Sequence, residues 1–192
     1  MNDEPERVIL FFPAPDAWER WLEKNGATSS AVWLKFAKKG SGIASLSYDE
    51  ALESALCHGW IDGQKASFDD RHYLLRFSRR SRKSKWSQIN REKAIRLEAE
   101  GRMQSPGLKE VEAAKTDGRW EDAYASQSRI EVPEDFQKRL DQRPEALAVF
   151  TTLKSSERYS ILYRLHHAKK PETRERLIEK YLESLATGQG VR

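Results

Sequence analysis

The sequence AVWLKFA at positions 31–37 alternates with a period of two residues. Val32, Leu34 and Phe36 fall on one side of an extended chain, and the residues between them point the other way. This pattern is typical of a β-strand. A strand needs partners for its backbone hydrogen bonds and a covering layer for its apolar side, so the segment predicts a sheet packed against other elements.

Three further strands are predicted near this one. Residues 8–12, VILFF, form a continuous β-branched and aromatic run that ends at Pro13, which indicates a buried strand. Residues 60–66 and 71–77 form two more strands, and the FDD between them suits a hairpin connection. We therefore expect a small antiparallel or mixed sheet of about four strands.

Helices are predicted between and after these strands, at residues 16–24, 47–58, 87–100 and 105–117. The capping box S-Y-D-E at the start of the second helix satisfies free backbone amides, and Gly59 suits the left-handed turn after its end. Ser87 is the predicted N-cap of the third helix. The apolar arc expected on that helix comprises Trp86, Ile89, Ala94 and Leu97, with Asn90 on the same side.

The last third of the chain has only helical patterns. Periodicity disappears between Trp120 and about Val132, which predicts a linker. Helices are expected to begin at Pro133, at Pro144 and at Ser155 or Ser156. The last helix has an apolar stripe of Leu177, Ile178, Tyr181, Leu182 and Leu185. The expected fold class is α+β, with a sheet-containing domain over residues 1–120 and a helical C-terminal segment over residues 133–188.

The composition limits the class of protein. Hydrophobic residues make up 38% and charged residues 33% of the 192 residues, a balance that allows a globular core under a charged surface. The start MNDEPERVILFFPAPDAW is acidic where a secretory signal is positive, and its apolar run is too short to cross a bilayer. A single cysteine cannot form an internal disulfide. We expect a cytoplasmic protein with no membrane insertion.

Positive charge is concentrated in one region. Residues 71–102 carry eleven Lys or Arg against three Glu, a local charge of +8, and the remaining 23 basic and 27 acidic residues sum to −4. Guanidinium groups just before a helix start would bind an anion together with the free backbone amides of that helix. The binding residues expected from this region are Arg76, Arg79, Arg80, Lys85, Trp86, Ser87 and Asn90. A solvated basic loop is the alternative that the same run leaves open.

The segment ALCHGWIDGQ, residues 55–64, places Cys57 and His58 in the last turn of a predicted helix. Partial negative charge at that position disfavours a thiolate and favours a protonated imidazole, so a cysteine nucleophile is not expected. A junction between helix and strand, with a turn or bulge at Asp62 and Gly63, accounts for the segment. A ligand contact from this junction stays open. The opposite wall of the anion site would then comprise His58, Trp60, Asp62 and Lys65.

Other classes of function receive less support from the sequence. Arginines interleaved with Tyr73, Phe77 and Trp86 could follow a phosphate backbone and stack on bases, yet no nucleic-acid-binding signature accompanies them. Nucleic acid is therefore disfavoured as a partner. His166 and His167 are adjacent on a helix and cannot clasp one metal ion. The chain has no nucleotide-binding or catalytic motif, and we expect no catalytic residue, no metal and no cofactor.

Four motifs resemble the YdeI/OmpD-associated family of bacterial proteins. They are ALCHGWIDGQ, RFSRRSRKSKWSQIN, EGRMQSPGLKEVEAAKTDGRW and AKKPETRERLIE, and the resemblance extends from about Trp18 to Ile178. Leu177 departs from the pattern, because many relatives have a basic residue there. The resemblance implies a YdeI-like first domain with a basic loop and a C-terminal segment of the OmpD-associated type. It also implies a link to tolerance of bacteriocins and cationic antimicrobial peptides and to a porin, without an established reaction.

These observations lead to one main hypothesis and two alternatives. The chain is expected to be a cytoplasmic stress-tolerance protein that binds an anionic small molecule or a partner. An unrecognised enzyme would instead use His58 or Asp62 as a general acid or base. A protein-interaction module would dock a partner through the stripe that contains Leu177, Tyr181 and Leu185. The oligomeric state stays open.

Overall fold

The computed structural model describes residues 8–188. Its backbone divides into two compact units, Met1–Ala123 and Tyr124–Arg192. The elements of the first unit are β1 (Ile9–Phe11), α1 (Pro15–Asn25), β2 (Ala31–Ala37), α2 (Tyr48–Cys57), β3 (Trp60–Ser67), β4 (His72–Arg79), α3 (Gln88–Ala99) and α4 (Ser105–Thr116). Those of the second unit are α5 (Glu134–Asp141), α6 (Pro144–Thr152), α7 (Ser155–His167) and α8 (Pro171–Ala186).

The four strands form one mixed sheet in the order β1-β2-β4-β3. β1 is parallel to β2, and the other two neighbouring pairs are antiparallel. The prediction of an α+β fold with a small sheet of about four strands and a helical C-terminal segment is therefore confirmed. A turn or bulge was predicted at Asp62 and Gly63, and the register of β3 against β4 does shift between Asp62 and Lys65.

One face of the sheet packs against α1 and α2. Trp18 of α1 is fully buried, and its ring lies 6.3 Å from that of Trp60 and 5.8 Å from that of Phe77, measured between centroids. Its indole nitrogen donates a hydrogen bond of 3.1 Å to the carbonyl of Ala51 in α2. The aromatic residues thus join the sheet to both helices, and burial of this much apolar area is the main stabilising contribution to the unit.

Helix α2 begins as the sequence predicts. The hydroxyl of Ser47 accepts a hydrogen bond from the backbone N–H of Glu50, and the Glu50 carboxylate accepts one from the backbone N–H of Ser47. This reciprocal pair satisfies two amides that lack partners inside the helix. Gly59 follows the end of α2 with a φ angle of +74°, in the left-handed region where glycine avoids a steric penalty.

Helix α2 is buried on two sides rather than along one stripe. Ala51 and Ala55 belong to the core that α1, α2 and the sheet share. Leu52, Leu56 and Cys57 face a second core, which Trp86, Trp120, α3 and α4 complete. The helix therefore lies between two apolar layers, and its carboxyl end is surrounded by protein on most sides.

Two predicted burial patterns are wrong. β1 was expected to be a buried strand, but Ile9 is 39% and Phe11 38% exposed. The reason is that Ile9 and Phe11 point to the face of the sheet opposite α1 and α2, and only the inward residue of β1, Leu10, packs against the core. Ile89 was expected on the buried arc of α3 and is 40% exposed, whereas Ala94 and Leu97 are buried as predicted.

The second unit has its own apolar core, to which all four of its helices contribute. Tyr181 and Leu185 of α8 are each 1% exposed, and Leu177 is partly buried against the same core. The stripe expected to dock a partner is therefore packed inside its own unit, and the proposed interaction surface on α8 is wrong. A stripe at helical spacing predicts burial but does not specify what buries it.

No helix within residues 8–188 is long and apolar enough to span a lipid bilayer.

Candidate functional site

A cleft of about 360 Å³ opens at the carboxyl end of α2. Its walls come from the end of α1, the α2–β3 junction, the end of β4 and the first turn of α4. The lining residues are Leu22, Glu23, Gly26, Ala27, His58, Gly59, Arg79, Arg80, Pro106, Lys109 and Glu110. We refer to this concavity as the α2 cleft. Three of the predicted binding residues, His58, Arg79 and Arg80, meet there.

The back of the α2 cleft is formed by close contact between the end of α2 and the start of α4. The backbone N–H of Gln104 donates to the carbonyl of Cys57, which has no partner inside α2. A methyl group on Gly107 would lie 2.3 Å from that same carbonyl oxygen, and one on Gly59 would lie 2.9 Å from the Pro106 carbonyl. The two backbones are therefore too close for any side chain at these positions, and both residues have to be glycine.

Arg79 and Arg80 are held in position by different contacts. The guanidinium of Arg79 donates a 2.9 Å hydrogen bond to the carbonyl of Ala27, in the loop after α1. Arg80 is only 6% exposed, and its guanidinium carbon lies 3.6 Å from the centroid of the Trp86 ring. It also donates to the carbonyl of Lys85 at 3.3 Å. Both cations therefore contribute to the cleft in fixed positions.

The charges around the α2 cleft are mixed. Its lining includes three basic side chains, Arg79, Arg80 and Lys109, and two acidic ones, Glu23 and Glu110. With a neutral imidazole at His58, these residues carry a formal charge of +1. The cleft therefore suits a ligand of low negative charge rather than a polyphosphate.

His58 is neutral over a wider pH range than a free histidine. Burial lowers the pKa of the imidazole, and this effect exceeds the opposing attraction of Glu23 and Glu19 for the protonated form. The expectation that the helix end favours a protonated imidazole is therefore wrong. Desolvation in the α2–β3 junction outweighs the partial charge of the helix terminus.

Cys57 has the properties expected of a structural residue. The side chain is 4% exposed in the second core, and burial raises the pKa of the thiol to about 11. The nearby Arg102 lowers the pKa of the thiol by a smaller amount. A thiolate is thus disfavoured at neutral pH, as the sequence predicts for a cysteine at the end of a helix.

Several predicted site residues lie away from the α2 cleft. Trp60 is fully buried in the first core, where its indole nitrogen donates to the carbonyl of Gly26 at 3.2 Å. Trp86 belongs to the second core beneath Arg80. The hydroxyl of Ser87 accepts the backbone N–H of Asn90 at 3.1 Å and so acts as the N-cap of α3. These residues stabilise the fold around the cleft but do not line it.

The remaining predicted residues are distributed over the sheet and the basic loop. Asp62 accepts a 3.0 Å hydrogen bond from the hydroxyl of Tyr48, at the amino end of α2, whereas His58 lies at its carboxyl end. Lys65 lies over the ring of Tyr73, 4.3 Å from its centroid. Arg76 is on β4, and the carbonyl of Lys85 is the acceptor for Arg80. The structure therefore does not bring His58 and Asp62 into one site.

The arginine-rich segment from Arg76 to Trp86, which we call the basic run, is partly a strand. β4 extends to Arg79, and its alternation places Arg76 and Arg79 on opposite faces of the sheet. Two of the three aromatic residues thought to interleave with the arginines, Phe77 and Trp86, are 0% and 2% exposed. Base stacking along this run is therefore excluded for those two rings.

Sequence reasoning missed the contributions of α1 and α4 to the α2 cleft. Glu23, Lys109 and Glu110 are charged residues on helix surfaces, and no local pattern distinguishes them from other exposed charges. The S-P-G-L sequence at the start of α4 was a signal, since Gly107 allows the close approach to α2. Across residues 8–188, no three His, Cys, Asp or Glu side chains are grouped so that they could hold a metal ion.

The fold and the site define a two-unit protein, in which an α+β unit with a charged cleft is followed in sequence by a four-helix unit. The chain belongs to the family described as "Domain of unknown function (DUF8412)", whose model matches residues 10–110, just over half of the 192 residues. Residues 129–188 match a second family model, described as "Bacteriocin-protection, YdeI or OmpD-Associated". This match confirms the family resemblance for the C-terminal part. Comparison with curated proteins and with solved structures gave no match.

Proposed function

We propose that this is a cytoplasmic bacterial stress-tolerance protein whose first unit binds a small anionic molecule in the α2 cleft. Arg79 is the principal ligand-binding residue, with His58 and Lys109 beside it. The guanidinium of Arg80 is buried behind the cleft and contributes positive charge rather than free donors. The second unit matches the family model for bacteriocin protection, and that description supports a role in tolerance of antibacterial agents.

The position of the two consecutive guanidinium groups carries this proposal. Each is fixed by protein contacts before any ligand arrives, Arg79 by the Ala27 carbonyl and Arg80 by the Trp86 ring. Fixed donors lose less side-chain entropy on binding than free surface arginines do, so they bind an anion more tightly. The exposed guanidinium of Arg79 also matches the two oxygens of a carboxylate.

The size and charge of the α2 cleft restrict the ligand. A volume of about 360 Å³ is at the lower end of the range for small-molecule sites. Two carboxylates, Glu23 and Glu110, oppose the binding of highly charged groups. The ligand class that fits best is therefore a small carboxylate with a charge near −1, or a zwitterion whose ammonium group faces one of the two glutamates.

A thermal-shift panel tests this proposal. The purified chain would be heated with amino acids, small mono- and dicarboxylates, and nucleoside mono- and triphosphates, each at millimolar concentration. We expect a small carboxylate or an amino acid to raise the Tm, because a ligand that binds only the folded state stabilises it. Arg79→Ala should abolish that shift, and Arg82→Ala, in the exposed loop that follows, should retain it. If no carboxylate or amino acid raises the Tm, or if Arg79→Ala keeps the full shift, the proposal is wrong.

A further inference from the structure

The sheet has a second face, which points away from α1 and α2. Val32 and Phe77 point towards the helices and are 2% and 0% exposed, so the alternate residues of the same strands point outward. In the register of the sheet, Trp33 lies opposite Arg76 and Lys35 opposite Leu74. The relevant set comprises outward residues of β1, β2 and β4 together with Phe68 in the turn between β3 and β4: Ile9, Phe11, Trp33, Lys35, Phe68, His72, Leu74 and Arg76. Leu74, at the centre of the set, is only 3% exposed, so the accessible apolar surface is at Ile9, Phe11 and Phe68. We call this set the open sheet face.

Aromatic rings and a cation cluster on this face. Phe11 is 38% and Phe68 47% exposed, although both are large apolar side chains. Their centroids lie 6.2 Å and 6.5 Å from that of His72. The ammonium of Lys35 lies 5.4 Å from the centroid of each phenylalanine ring. Exposed rings that have a cation between them on a sheet are unusual for a surface without a partner.

The charged residues of the open sheet face are all basic. Lys35 and Arg76 are its two permanently charged members, and the set contains no Asp or Glu. The nearest acidic residue in sequence, Asp69, is engaged by the imidazole of His72 and by two backbone N–H groups of its own turn. Asp70 follows Asp69 in the same exposed turn. The strands of this face therefore carry no carboxylate, and the acidic residues near it are confined to the turn that contains Phe68.

We propose that the open sheet face binds single-stranded nucleic acid. Aromatic side chains on the surface of a small sheet stack on unpaired bases, and neighbouring lysine and arginine side chains neutralise the phosphates. Phe11 and Phe68, the two exposed rings of the set, supply the stacking surfaces. Lys35 and Arg76 supply the positive charge. A duplex fits less well, because its bases are already stacked on one another and present no free ring faces.

This site is distinct from the α2 cleft and shares only Arg76 with the basic run. Arg79 shares the helix-covered face with Phe77, and Arg76 lies on the open one. The aromatic residues within the basic run that are buried, Phe77 and Trp86, take no part. The two binding sites can therefore be altered separately.

Fluorescence anisotropy with labelled oligonucleotides tests the proposal. The oligonucleotides would be about twelve nucleotides long, near the length that a single-strand binding module covers. Oligo-U and oligo-dT at low salt should bind more tightly than a duplex of the same length. The double variant Phe11→Ala/Phe68→Ala should weaken binding by roughly fivefold or more for each ring that stacks on a base. Arg76→Ala should weaken binding and reduce the slope of log affinity against log salt by about 1.

Three matched variants serve as controls. Ile95→Ala removes an apolar side chain that is 52% exposed on α3, and Arg82→Ala removes a cation from the basic loop. Arg79→Ala alters only the α2 cleft. All three should bind the oligonucleotides as the unaltered chain does. The proposal is overturned if neither oligonucleotide binds, if the duplex binds equally well, or if the double phenylalanine variant keeps full affinity. None of these outcomes bears on the thermal-shift result for the α2 cleft.

Discussion

The guanidinium carbon of Arg80 lies 3.6 Å from the centroid of the Trp86 ring, and the two residues are only 6% and 2% exposed. A desolvated cation over an indole contributes about 2 kcal/mol or more. Arg80→Ala should therefore lower the free energy of unfolding by at least about 2 kcal/mol, measured by urea denaturation with tryptophan fluorescence. Arg82→Ala, two residues along and exposed, should change it by less than about 0.5 kcal/mol. Equal effects of the two substitutions would contradict a structural role for the Arg80–Trp86 contact.

Alanine substitutions at two glycines can distinguish the cost of a left-handed backbone conformation from the cost of a steric clash. Gly59 and Gly118 have φ angles of +74° and +81°, so both are in the left-handed region. An added Cβ at Gly59 would lie 2.9 Å from the Pro106 carbonyl, whereas one at Gly118 would meet no atom within 4 Å. Gly118→Ala should cost about 1 kcal/mol from φ alone, and Gly59→Ala should cost clearly more, because α4 must move. Thermal denaturation of both variants checks this order, and similar losses would show that the close contact with α4 is unimportant.

Cys57 should react slowly with thiol reagents. The side chain is 4% exposed, and its pKa is raised to about 11, so both access and thiolate fraction are small at neutral pH. We expect the absorbance change with a disulfide reagent at pH 8 to be slow in the folded chain and fast in denaturant. A Ser81→Cys variant, at an exposed position after β4, supplies a second thiol that should react quickly under the same conditions. Rapid reaction of Cys57 in the folded chain would be inconsistent with the structure.

The stability of the second unit should depend on Asp135 at low pH. The guanidinium of Arg174 hydrogen-bonds the Asp135 carboxylate and lowers its pKa, an effect that exceeds the opposing one of burial. A carboxyl group whose pKa is lower in the folded state than in the unfolded state stabilises the folded state. That contribution is fully present when the pH is above the unfolded-state pKa of about 4. That contribution is lost as the pH falls through the folded pKa. Because the Asp135 side chain is 48% exposed, the effect should be under about 1 kcal/mol.

Urea denaturation of Asp135→Asn between pH 2.5 and pH 7 measures this linkage. The variant should be less stable than the unaltered chain near pH 7, and the difference should shrink towards acid pH. In an Arg174→Met background the same substitution should lose most of its pH dependence, since the ion pair is already absent. The linkage is contradicted if the stability difference is constant across the pH range. It is also contradicted if the pH dependence of that difference persists in the Arg174→Met background.

Local signals predicted most of the secondary structure. The capping box at Ser47, the N-cap at Ser87 and the left-handed turn at Gly59 are where the sequence places them. These features depend on contacts between residues that are at most four positions apart, so a short window of sequence contains the necessary information. The alternation of residues 31–37 likewise predicted which side chains of β2 are buried.

The candidate site was only partly predictable. The sequence pointed to His58, Arg79 and Arg80, but it grouped them with Trp86 and Asp62, which the fold places in the second core and at the other end of α2. It also placed Arg76 and Arg79 in one binding site, although β4 turns their side chains to opposite faces of the sheet. A run of charge says where cations are in the chain but not which face each one reaches.

The sequence by itself determined the elements, their order and the α+β class, because caps, turns and apolar periodicity act over a few residues. Only the tertiary structure decided that α2 lies between two cores, that α4 closes on its carboxyl end, and that two arginines meet Lys109 and Glu23 there. Those contacts join residues far apart in the chain. They depend on how whole faces of helices and strands pack against one another, and no short stretch of sequence specifies that packing.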